Sequence, residues 1–164
     1  MSLTLVHFTI GTHQCGLAVD AVEEVLRVVA VTPLPGAPAF VEGVINRRGV
    51  VTPVIDLRKR VGLAPGPFDE ATRIVITALR GHPAGLIVDA VSDVMTIDDT
   101  GMGIDPTEVL GLDLRQYAAR VVTAEGALVV VIDPACILTD EEGRQFGAAV
   151  PPPGEADEHE NDVA

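Results

Sequence analysis

Cys15-Gly16-Leu17-Ala18-Val19-Asp20-Ala21-Val22-Glu23-Glu24-Val25-Leu26 aligns without gaps on Ala84-Gly85-Leu86-Ile87-Val88-Asp89-Ala90-Val91-Ser92-Asp93-Val94-Met95. Seven of the twelve positions are identical, and His13 falls on His82 at the same offset. Farther along, Gly49-Val50-Val51-Thr52-Pro53-Val54-Ile55-Asp56 resembles Gly126-Ala127-Leu128-Val129-Val130-Val131-Ile132-Asp133. The elements follow one order in both halves, so the chain is a duplication of about seventy residues.

Each unit reads as short strands. Leu3 to Ile10 and Thr72 to Leu79 run through Gly-bearing turns into second strands, Gln14 to Val19 and Pro83 to Val88. Asp20 then opens a short helical or turn segment with Glu23 three residues on, the spacing of a capping box. Strands are expected over Val28 to Thr32, Glu42 to Asn46 and Val50 to Ile55, and a hairpin joins Tyr117–Ala124 to Ala127–Ile132 across Glu125-Gly126. Asp56 and Asp133 each open one closing helical turn, with Pro134 at the tolerant first position. About five apolar strands per unit predict an all-β chain of two small barrels, since closure removes the exposed edges that Val-rich strands would present. Pro65-Gly66-Pro67 links the units, so the halves span roughly 1–62 and 70–138. From Thr139 the periodicity stops, and 139–164 reads as an acidic, Pro-containing tail without order.

Composition bounds the function. Hydrophobic residues make up 48% of the 164 residues, ample for a core, but aromatics are 3%, so that core is Val, Leu, Ile and Ala. The net charge of −13 argues against nucleic acid and anionic membrane as partners, although Glu155, Asp157, Glu158, Glu160 and Asp162 put much of it in the tail. No signal peptide or apolar span is visible, which places the chain in the cytoplasm. Cys15 and Cys136 then read as buried free thiols rather than a disulfide.

Motifs for chemistry are sparse. Asp99-Thr100-Gly101 is the tripeptide of aspartic proteases, but its duplicate Ala30-Val31-Thr32 supplies no second carboxylate, so it reads as turn chemistry; a hydrolase using Asp99 is the alternative. Asp20, Asp89, Asp56 and Asp133 each end an apolar strand and read as backbone caps. His7, His13, His82 and His159 lack metal-ligand spacing, and no metal or cofactor is expected. Where the halves differ in polar residues, a local role is the useful reading. Asn46-Arg47-Arg48 precedes Gly49, while Thr123-Ala124-Glu125 precedes Gly126, and Glu23-Glu24 stands against Ser92-Asp93. Adjacent arginines on a tight turn of an acidic protein suit a partner's carboxylate; an ordinary solvated hairpin is the other reading.

From about Leu3 to Leu138 the chain resembles the CheW family. The resemblance is densest at Val22-Glu23-Glu24-Val25-Leu26-Arg27, at Pro33-Leu34-Pro35-Gly36-Ala37-Pro38-Ala39-Phe40, and from Gly43 through Asn46-Arg47-Arg48-Gly49 to Arg58. It recurs at Thr72-Arg73-Ile74-Val75-Ile76 and from Gly85 to Val91. The resemblance implies two intertwined SH3-like five-stranded barrels (residues 1–138) and a non-enzymatic adaptor. One face would bind the regulatory domain of a CheA-type histidine kinase; a groove between subdomains would bind a chemoreceptor's cytoplasmic signalling tip, in membrane-associated arrays. An adaptor for a pilus-motility or other chemosensory-like pathway is the near alternative. Matching the family's Asn-x-Arg-Gly motif implies Arg48, and matching its Val-x-Glu-Val/Ile stretch implies Glu24, as partner contacts, with Asn46 and Gly49 shaping the turn. Val22, Val25 and Val44 are apolar candidates near the groove or in the core. Arg47 stands where the family usually has an aliphatic residue; Leu114 to Val121 lacks a usual glycine, and a proline-rich strand entry is reduced to Asp105-Pro106.

Overall fold

The structure is a computed structural model describing residues 2–63, 66–98, 116–124 and 126–149. The first unit supplies β1 (Ser2–Ile10), β2 (His13–Ala18), β3 (Val22–Arg27), β4 (Gly43–Arg47) and β5 (Val50–Asp56), then α1 (Leu57–Arg60). The second supplies β6 (Arg73–Leu79), β7 (His82–Val88), β8 (Ala90–Asp98), β9 (Ala118–Ala124) and β10 (Ala127–Ile132). A ten-residue helix, α2 (Asp140–Ala149), follows.

The two five-stranded sheets do not follow the two units. One is ordered β8-β1-β2-β10-β9 and the other β3-β6-β7-β5-β4. Each unit therefore lends its first hairpin to the last three strands of the other, and residues 22–88 form one whole sheet. The expected division into halves 1–62 and 70–138 follows the duplication but not the folded units. Each lent hairpin is joined on one side by an antiparallel pair, β1 with β8 and β6 with β3, and on the other by a parallel one, Val131 beside Gly16 and Val54 beside Gly85. Close approach of the hairpin partner strand explains the glycine shared by the repeats. A Cβ on Gly16 would come within 3.0 Å of Leu5 Cδ1, and one on Gly85 within 2.6 Å of Ile74 Cγ2.

Both faces of the middle strands are buried. Val75 and Leu86 join a central cluster that draws on both sheets, with Phe8, Leu17, Ile55, Val130 and Ile132. Ile74, Ile76 and Ile87 point the other way, into a cluster with Ile45 and Val54, while Leu5, Val122, Val129 and Val131 form its counterpart in the first sheet. Burial on both faces is why these strands are near-continuous apolar runs rather than alternating ones. Each fully buried Ile or Leu contributes roughly 1.5–3 kcal/mol.

Several expectations are corrected. The segment opened by Asp20 is a single 3-10 turn, Val19–Ala21, without a side-chain cap, and Val22–Arg27 is a strand. Alternation decides it: Val22, Glu24 and Leu26 turn inward while Glu23, Val25 and Arg27 stay exposed. Its repeat, Ala90–Asp98, is likewise a strand. Val28 to Thr32 is not one; a lone bridge from Thr32 to Val44 is all that pairs there. Asp56 and Asp133 do cap, accepting from the amides of Arg58 and Ala135 at 3.0 and 2.9 Å. Asp89 instead accepts from Gly11 N at 2.6 Å across the sheets and pairs with Arg58. Both cysteines are free, but only Cys15 is buried; Cys136 is exposed.

The tail expected from Thr139 begins as the ordered helix α2. Thr139 Oγ1 accepts from Glu142 N at 3.1 Å and Glu142 Oε1 accepts from Thr139 N at 3.0 Å, a reciprocal capping box. Phe146 is fully buried, edge-on to His82 with ring centroids 6.1 Å apart. Asp99-Thr100-Gly101, Asp105-Pro106, Leu114-Arg115 and residues 150–164 lie outside the described residues.

Candidate functional site: the Asn46–Gly49 turn

β4 and β5 are joined by the two residues Arg48 and Gly49, at φ 55° and 84°. Positive φ at both positions is the type I′ turn, whose twist matches that of the flanking strands. Gly49 meets this requirement freely, whereas Arg48 adopts it at a steric cost. Asn46 Oδ1 accepts from Gly49 N at 2.7 Å and so ties the turn from inside.

β3 and β4 are the two edges of their sheet, and the sheet curls far enough to bring them into contact. Side chains make that contact. Arg47 donates from NH2 to Glu23 Oε2 at 2.8 Å and from Nε to Glu24 Oε1 at 3.3 Å. Arg48 donates from NH2 to the other oxygen of Glu24. The burials differ: Arg47 and Glu24 are each 17% exposed, Glu23 50% and Arg48 77%. Burial alone would lower the Arg47 pKa, but hydrogen bonds to Glu23 and Glu24 outweigh it and the net shift is upward. Arg47 is thus a clamp within the cluster, and Arg48 is the guanidinium presented to solvent.

The apolar candidates separate. Val22 packs against the central cluster, and Val44 is half-buried behind the Thr32 bridge. Val25, 38% exposed, lies on the surface; its repeat, Val94 on β8, is 57% exposed. Sequence reasoning missed Glu23 as the second partner of Arg47. The signal was present: the two halves differ at Glu23-Glu24 and at Arg47-Arg48 together, so acids and bases appear in one half as a set. In the other half Asp93 lies 3.7 Å from His7 Nδ1 instead.

A cavity of about 550 Å³ lies elsewhere, between α1 and α2. Its charges are paired internally, Lys59 with Glu42 at 2.8 Å and Arg60 with Glu142 at 2.7 Å. No cluster of three His, Cys, Asp or Glu suited to a metal occurs among the described residues, nor is any helix there long and apolar enough to cross a membrane.

Two interlocked five-stranded sheets that hold an exposed arginine on a fixed hairpin turn define a β scaffold. The CheW-like domain family matches residues 4–142. The chain is 35% identical over 147 residues to the chemotaxis protein CheW of Bacillus subtilis (strain 168), covering 90% of this chain and 92% of that one. It is 33% identical over 139 residues to the chemotaxis protein CheW of Rhizobium meliloti (strain 1021), covering 84% and 88%. The crystal structure of the scaffolding protein TtCheW from Thermoanaerobacter tengcongensis superposes with a TM-score of 0.76 at 32% identity, over 87% of this chain and 91% of that one. The chain therefore belongs to the CheW-like domain family of chemotaxis scaffolding adaptors, which are not enzymes.

Proposed function

We propose that the chain couples chemoreceptors to a CheA-type histidine kinase, with the Asn46–Gly49 turn as its receptor-side contact. The observation behind this reading is Arg48, 77% exposed yet fixed by a type I′ turn and an Asn46 hydrogen bond. A rigid turn spends little entropy when its tip docks, and an exposed guanidinium offers a forked donor to a carboxylate. Glu24 acts from within, accepting from both arginines, and Val25 supplies exposed apolar surface on the adjoining strand. Holding receptor and kinase together raises their effective concentration, and a coupling free energy of about 1–3 kcal/mol would alter kinase activity several-fold. The adaptor would work in the cytoplasm, at membrane-associated receptor arrays reached through its partners.

The test is binding of the purified chain to the kinase regulatory domain and to a receptor signalling tip from the same organism, with Arg48→Glu alongside. Binding to both, with receptor binding alone lost in the variant, is the expected result. Binding to neither would move the chain to another chemosensory-like circuit.

A further inference from the structure

We infer that Arg47 is the positioning residue of this surface: by occupying Glu23 and Glu24 it leaves the Arg48 guanidinium exchangeable, able to pass from Glu24 to a carboxylate on an acidic partner segment. The inference rests on the reading of the Arg48 turn as a partner contact and adds a residue that acts behind it.

The charge count of the cluster is its basis. Glu23 and Glu24 are adjacent on the edge strand β3, and two arginines face them from β4 and its turn. With Arg47 present the cluster is neutral. Without it, Arg48 would face two carboxylates alone, and the cluster would carry one net negative charge. That has two effects on an incoming acidic segment. Arg48 would be held more firmly by the protein's own acids, and the residual negative charge would repel the partner's. The geometry assigns the two arginines different tasks. Arg47 uses one edge of its guanidinium, Nε and NH2, across two carboxylates, and it is 17% exposed. Arg48 contributes NH2 alone and is 77% exposed, so its pairing is the screened, exchangeable kind.

The rival account is that Arg47 only seals the β3–β4 edge. Charge rescue separates the two, because removing Glu23 restores neutrality without restoring the seal. The experiment measures binding to a soluble chemoreceptor cytoplasmic fragment for wild type, Arg48→Glu, Arg47→Leu and Arg47→Leu/Glu23→Gln, at about 50 and about 200 mM salt. Thermal melts confirm that each variant is folded. Arg47→Leu is expected to weaken binding about five-fold at low salt and less at high salt, and the double variant to regain wild-type affinity. Wild-type affinity in Arg47→Leu, or a deficit that Glu23→Gln leaves in place, overturns the inference while the Arg48 contact stands. Arg48→Glu binding like wild type instead removes the contact itself, and the role of Arg47 with it. Guanidinium rotation of Arg48, followed by 15N NMR in the free protein, gives a reading without any partner: it should slow in Arg47→Leu, and an unchanged rate overturns the inference.

Discussion

Arg60 and Glu142 meet fork to fork, NH1 to Oε2 at 2.9 Å and NH2 to Oε1 at 2.7 Å, fastening the C-terminal helix α2 to α1 across the molecule. Arg60 also donates to the carbonyl of Ile137 at 2.9 Å and lies over the rings of Phe40 and Tyr117. The buried arginine of α1, Arg58, makes a bidentate pair with Asp56 and reaches Asp89. Through its two arginines the four-residue α1 therefore ties together the end of β5, the β7–β8 corner at Asp89, Ile137 and α2.

The α2 clasp predicts a local pH dependence. The hydrogen bond from Arg60 holds the Glu142 carboxyl below the usual glutamate value. A carboxyl depressed in the folded state contributes stability that is complete above its unfolded pKa and lost as pH falls through the folded one. Amide exchange in Asp140–Phe146 should accelerate in that acid window, and Glu142→Gln should remove the pH dependence. Phe146→Ala, which empties a fully buried site, should cost about 3–5 kcal/mol in denaturant unfolding.

Asp56 and Arg58 are each only 4% exposed, so neither charge is solvated if the other is lost. Asp56 also caps α1 through Arg58 N. Asp56→Ala should destabilise the chain by about 3 kcal/mol, read from the midpoint of urea unfolding. Asp89→Asn should cost less, because Asp89 is partly exposed and Arg58 keeps its bidentate partner.

The paired glycines give a graded packing prediction. Gly85→Ala drives a Cβ to 2.6 Å from the γ-methyl of Ile74, a stiff β-branched side chain between strands. Gly16→Ala brings its Cβ to 3.0 Å from Leu5 Cδ1 and 3.2 Å from Leu5 Cβ, a milder overlap than at Gly85. Overpacking of about 1–3 kcal/mol is expected at Gly85 and less at Gly16, compared by thermal unfolding of the two variants.

The thiols should separate cleanly. Burial pushes the Cys15 thiol up to about 12, whereas Cys136 is exposed, its thiol raised by partial burial and the nearby Asp133. An aromatic disulfide reagent should titrate one thiol in the native protein and two in denaturant. Reaction of both in the native state would contradict the burial of Cys15 in the central core.

What the sequence revealed and what it hid have physical causes. The duplication exposed eight of the ten strands, all but β3 and its repeat β8, because both copies carry the same apolar pattern. It could not expose the exchange of hairpins, because β1 and β6 have the same inward faces whichever sheet receives them. Val22–Arg27 was hidden by Asp20, whose Glu23 spacing imitates a helix cap; the alternation that overrides it spans six residues. Helix α2 was hidden by its composition, since Asp140-Glu141-Glu142-Gly143 looks like a solvated tail. Thr139 with Glu142, and Phe146 beyond, were its legible signs. At the candidate site, Arg48 and Glu24 could be named as candidates from two family motifs, but Arg47's bridge to Glu23 depends on the curl that joins two sheet edges remote in sequence.

Arg48 invites a separation of stability from function. A non-glycine residue at φ 55° is strained, and asparagine tolerates that conformation far better than arginine. The ion pair that Arg48→Asn gives up is solvent-exposed, and such pairs contribute about 0–1 kcal/mol. Arg48→Asn should therefore unfold at the same temperature as wild type or higher, while receptor-fragment binding falls. Arg80, at φ 53° in the β6–β7 turn, is the internal control. Its side chain donates to the Leu138 carbonyl and to Asp140, both at 3.0 Å. Arg80→Asn should then loosen α2 and leave receptor binding unchanged. Equal loss of binding in both variants would mean that strained arginine turns serve the fold alone, and the contact surface would have to be sought on another face.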